Sequence, residues 1–257
     1  MNAISLLAGL LFAAGTSPSP AVFRITPQVI QVGAFYDGAQ VSIEGASAPR
    51  SQVIVAITGP DRQERFKRKV RFGPVWVNAG RVRISGAPSL ILRFSAGPIA
   101  ALLDRQTIAS LRLDESSLQA RMHIDPPTDP AADAALRSSY LALKRSQGTY
   151  AFSDRGVSMG QPDEDCVPYS LHFHWPPKAP PAQYTVTVYE VRDGAIVNQG
   201  SMPLSVVRTG FPAWLASLAE TRASLYGLTA VLIGALAGFG IDFLTTRLFG
   251  KKRAVAH

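Results

Sequence analysis

From Val22 to about Phe94, apolar and polar positions alternate in short runs, the period-two pattern of half-buried strands. The runs include QVIQVG, AQVSIEG, QVIVAITGP, RFKRKVRF, PVWVN, RVRIS and SLILRFS, separated by turn residues. QVIVAITGP is apolar enough to predict a central strand. In RVRIS, Arg81 and Arg83 share one face and Val82 and Ile84 the other. The alternation returns at Tyr184–Arg192 (YTVTVYEVR), where Asp193–Gly194 marks a tight hairpin turn into a strand over Ala195–Val207. Pro203 predicts an edge or a break there, because proline gives a ladder no N–H. Tyr184 follows the proline-rich WPPKAPPAQ and precedes Val186 and Val188, the arrangement of a tyrosine corner. Strands at this spacing predict a mainly β fold: an immunoglobulin-like sandwich over about 22–209, with room for two β lobes.

Between about 98 and 147 the period becomes helical. Gly97–Pro98 opens a short helix. Asp129–Pro130 opens a longer one to about Gln147, with Asp129 as cap and Gly148 as stop. Leu136, Tyr140 and Leu143 form its apolar stripe, leaving Arg137, Lys144 and Arg145 outside. So narrow a stripe suits a helix lying on a sheet.

The two ends have another character. Ala3–Gly15 is uncharged but too short to span a bilayer, and small residues follow, as in a signal peptide over 1–16. Ala223–Ile241 is uncharged, and the stretch 223–246 is long enough for a transmembrane helix. Arg247, Lys251, Lys252 and Arg253 follow in a basic tail over 247–257, which predicts a cytoplasmic C-terminus and a periplasmic domain. Trp214 and Tyr226 fall near the outer interface. The expectation is a bacterial inner-membrane protein with a single pass. Ala230, Gly234, Gly238 and Asp242 recur every fourth residue and form a candidate packing face for a second helix, from another membrane protein or another copy.

Composition adds two constraints. One cysteine, Cys166, means no intrachain disulfide, so the exported domain must hold together by burial. Of the net charge of +8, the part before the apolar span carries +5, and most of that sits in Arg62, Arg65, Lys67, Arg68, Lys69 and Arg71, a candidate patch for an acidic partner or lipid headgroups. Nucleic acid is a poor candidate for a domain outside the cytoplasm. No nucleophile elbow, phosphate loop or H-E-x-x-H helix is present, so no catalysis and no cofactor is expected. The alternative is a periplasmic metal-binding protein or enzyme. His172 and His174 share a strand face, with Cys166 and Asp165 as the nearest further ligands.

The runs QVSIEGASAPRSQVIVAITGP, RKVRFGPVWVNAG, YAFSDRGVSM, YTVTVYEVRDGAIV and PLSVVRTGF, ahead of one hydrophobic helix, resemble the Putative transmembrane protein family described mainly from alphaproteobacteria. Trp76–Val77–Asn78 and Tyr184 with Asp193–Gly194 are the most specific points. The resemblance implies an inner-membrane protein with a periplasmic domain and no enzymatic activity to carry over. It also implies an accessory role beside a transport assembly.

Overall fold

A computed structural model describes residues 21–249 apart from 128 and 164. The predicted signal peptide and the tail cations Lys251, Lys252 and Arg253 lie outside the described residues. The chain falls into two compact units. Among the described residues, one holds 21–28 together with Gly38–Ser205; the other holds Val29–Asp37 and 206–249.

The first unit is mainly β. A four-stranded antiparallel sheet has the order β1 (Phe23–Thr26), β3 (Ala39–Ser47), β11 (Val167–Trp175), β10 (Ser158–Met159). A larger sheet runs β13 (Ala195–Arg208), β12 (Ala182–Arg192), β4 (Gln52–Thr58), β7 (Ile91–Ser95), β9 (Tyr150–Ser153). β4 is the central strand that QVIVAITGP predicts, antiparallel to both β12 and β7. Its residues Val53 to Ile57 are all buried, which explains the loss of alternation there. Asp193 and Gly194 both take positive φ, as a two-residue hairpin turn requires. Aromatic rings join the two sheets. Phe94 of β7 lies 5.1 Å from Phe173 of β11, and Tyr184 of β12 lies 4.9 Å from Trp175 of β11.

Pro203 neither ends nor breaks its strand; β13 runs on to Arg208. Ser205 donates its N–H to the carbonyl of Gln28, 3.0 Å away. Two residues earlier, the nitrogen of Pro203 faces the same side of the strand. Proline is tolerated because that side offers it no ladder partner among the described residues.

The insertion contains four helices. α1 (Ile99–Leu102), α2 (Arg105–Ser110) and α3 (Glu115–Arg121) precede β8 (His123–Asp125), and α4 (Pro130–Ser146) follows it. Asp104, Asp114 and Asp129 cap α2, α3 and α4 by accepting from backbone N–H groups. The first segments bury Leu103, Ile108 and Leu113 on Ile54, Ala56 and Tyr189 of the larger sheet. α4 covers a second cluster with Ile84, Ile91, Leu118, Met122 and Tyr150.

One expectation for α4 needs correction. Its buried residues are Tyr140, Leu141 and Lys144, while Leu143 is exposed. Lys144 is on the inner face because Glu64 waits there, 2.5 Å from its Nζ. Its ammonium also lies 5.3 Å from the centre of the Tyr140 ring.

In the second unit, β2 (Val29–Val32) pairs with the end of β13, and Thr209 donates to Val32 at 3.0 Å. α5 (Gly210–Thr221) and α6 (Ala223–Phe249) follow. Arg222 separates them with φ −145° and ψ 69°, outside the helical region.

Candidate functional site

The basic stretch forms one strand of a long hairpin. β5 (Asp61–Phe72) pairs antiparallel with β6 (Val75–Pro88), and β8 adds a third strand beside β6. Gly73, at φ 59°, opens the two-residue turn and Pro74 completes it, so the chain reverses with no room for a longer loop.

The register sorts the hairpin into two faces. Phe66 lies opposite Val82, and Glu64 opposite Ile84. This inner face packs on α4, where Phe66 meets Tyr140 edge to face at 5.8 Å. An apolar groove of about 170 Å³ runs there between Phe66, Val82, Ile84, Leu136, Tyr140 and Leu143.

The outer face is cationic. Arg65 lies opposite Arg83, and Lys67 opposite Arg81. Side chains directly opposite across antiparallel strands have Cβ atoms about 5 Å apart, and like charges placed so repel. Among the described residues, one carboxylate answers them: Asp125 of β8, 3.0 Å from Arg83. The hairpin's own two acids are engaged elsewhere, Glu64 with Lys144 and Asp61 with Arg121 at 3.0 Å. A shallow cleft of about 220 Å³ lies between Arg65, Arg81, Val82, Arg83, Asp125 and Pro126.

All six cations expected in the patch lie on β5, but Arg65 and Lys67 fall on the face opposite to Arg62. Arg62 pairs with Ala87, before a register shift. A second shift follows Lys67, so Lys69 meets Asn78 and Arg71 meets Trp76. Arg68 is placed here by its backbone alone. Arg71 donates from Nε to the carbonyl of Gly73 at 3.1 Å, bracing the turn. The sequence reading omits Arg81 and Arg83 from the patch. Their shared face is visible in the pattern, but the strand opposite them is a matter of register.

His172 and His174 both lie exposed on β11, two residues apart, on the one face expected. Cys166 does not join them. Val167 to His172 spans roughly 17 Å of extended chain, beyond what a shared metal could bridge. Among the described residues no group of three His, Cys, Asp or Glu side chains could hold a metal ion.

In α6, Ala223–Arg247 is 25 residues long with a mean hydropathy of 1.9, and none of its apolar stretch is buried. Ala230, Gly234, Gly238 and Asp242 are exposed. A Cβ built on Gly234 or Gly238 would meet nothing within 4 Å.

These features agree with what the whole chain is similar to. No curated protein and no solved structure matches it. The model of the Putative transmembrane protein family matches residues 21–247, and the chain belongs to that family.

Proposed function

From that membership we propose a membrane-anchored accessory or interaction protein without catalytic chemistry. The observation that carries this reading is α6. It is a helix long and apolar enough to cross a bilayer, exposed along its apolar length, with one open small-residue face. A single helix forms no transport path, so the β-rich residues 22–209 are the working part. They lie in the periplasm, 223–246 crosses the inner membrane, and 247–257 is cytoplasmic. The face of Ala230, Gly234, Gly238 and Asp242 receives a helix of a membrane partner or a second copy, and the β5 cations meet an acidic surface.

An immunoglobulin-like sandwich is the architecture that best suits the domain. Two observations support it. The Tyr184 hydroxyl donates to the carbonyl of Pro180, four residues upstream, as in a tyrosine corner. Buried Trp175 packs edge to face against the same ring, between the two sheets.

The test is topological. A reporter active only in the cytoplasm is expected to work when fused after His257 and to fail when fused near Gly210. The opposite result would overturn the orientation, and activity at both sites would remove the span.

A further inference from the structure

We propose that the β5–β6 hairpin is a docking arm for an anionic bilayer surface, with its outer cations on phospholipid phosphates and its tip at the headgroup boundary. The proposal rests on the reading of α6 as a membrane anchor.

Three features of the arm carry it. First, charge: Asp61–Pro88 holds eight cationic and two acidic side chains, and both acids are turned to partners off the arm. Second, arrangement: Arg65 opposite Arg83 and Lys67 opposite Arg81 set like charges against each other. Such pairs destabilise an isolated hairpin. A dense array of phosphates relieves that repulsion, since each anion can sit between two cations. Third, the tip: from Arg65 to Phe72 the arm extends roughly 24 Å. It ends in apolar side chains that the described residues leave uncovered. Phe72 is 77% exposed, with Val75 and Val77 also in solvent.

Cations along a stem with an apolar end is the chemistry of interfacial binding, in which lipid phosphate and acyl boundary are met together. A soluble acidic protein would satisfy the cations but would not by itself call for the bare tip. The bilayer also needs no recruitment, because the same chain carries its span.

The experiment uses the full chain in lipid nanodiscs. Val75→Cys in a Cys166→Ser background carries an environment-sensitive fluorophore. Discs are made of phosphatidylcholine alone or with about a third phosphatidylglycerol. A blue shift of the fluorophore in the anionic discs, reversed by high salt, is expected. Arg65→Gln, Lys67→Gln and Arg81→Gln together should abolish it. Each removed cation lowers the docked-to-free ratio roughly fivefold, on the order of a hundredfold for three. An unchanged melting temperature shows that the variant is folded.

The same spectrum in both discs would overturn the proposal. So would a shift that survives the triple charge variant. A shift with inorganic phosphate or a polyglutamate peptide in neutral discs, at matched ionic strength and with none from phosphatidylglycerol, would reassign the face to a soluble anion or an acidic protein. Incorporation into discs is read separately. Failure there would sink the anchor, whereas failure of the shift alone would sink only the arm.

Discussion

An ammonium group is costly to bury without a carboxylate beside it. Lys144 is buried on α4, and its partner Glu64 stands 80 positions earlier in the chain. That distance explains the misplaced stripe. Helical periodicity ranks Leu143 above Lys144, and nothing local says that a strand residue will offer a charge. Lys144→Ala is expected to lower unfolding stability by about 2 kcal/mol, less than a fully enclosed pair because Glu64 keeps some contact with water. Denaturant titration of the single variants and of Lys144→Ala with Glu64→Ala gives the coupling; additive losses would mean that the pair contributes nothing. Tyr184 is the opposite case, because its proline-rich approach announces its role in the sequence. Tyr184→Phe removes the hydroxyl donated to Pro180 and should cost about 1 kcal/mol with the ring packing on Trp175 retained.

Elements were legible where one physical cause dominated. β4 is read from continuous apolar character, α4 from Asp129–Pro130 and its stripe, and the β12–β13 turn from Asp193–Gly194. The pattern gives no helix at α5. Its sequence GFPAWLASLAET lies between a strand and a far more apolar span, and its glycine and proline at the start read as a turn. The pattern gives strands at β5 and β6 but not their pairing, since register depends on the Gly73–Pro74 turn and two register shifts. α6 is legible from an uncharged run long enough to cross a bilayer. For its open face the expected outcome concerns bulk. Gly234→Leu with Gly238→Leu should abolish self-association or partner recovery, because close backbone approach needs the missing side chains. Leu232→Ile with Leu236→Ile, away from that face, should leave both unchanged. Cross-linking in membranes at matched expression is the readout. Equal recovery from both double variants would leave α6 as an anchor only.

At the scale of the whole molecule, the mainly β class followed from alternation, but the sheet order did not. β11, β12 and β13 come back to join β3 and β4 after an insertion of four helices, and contacts that far apart in sequence leave no periodic trace. With no disulfide, stability rests on burial, and buried tyrosines, Tyr140, Tyr150, Tyr169 and Tyr189 among them, make it depend on pH. Burial pushes the Tyr140 phenol far above its usual value of 10.0, with the Glu64 charge adding to it. Burial does the same for Tyr150, helped by Tyr140, and for Tyr169, helped by Glu190. In the unfolded chain these groups lose their protons above about pH 10. The folded chain keeps them, so it binds more protons and stability must fall as pH rises. The contribution is therefore complete below pH 10 and erodes above it, by about 1.4 kcal/mol per pH unit for each tyrosine that stays neutral. Tyr169→Phe isolates one share. Its hydroxyl has no hydrogen-bond partner among the described residues, so removing it leaves no orphan and should cost little at pH 7. Denaturant titration of residues 22–208 from pH 8 to 11.5 should give a flat region, then a fall that is shallower in the variant by about 1.4 kcal/mol per pH unit. An equal slope in both would mean that Tyr169 ionises within the fold and that its surroundings are wet.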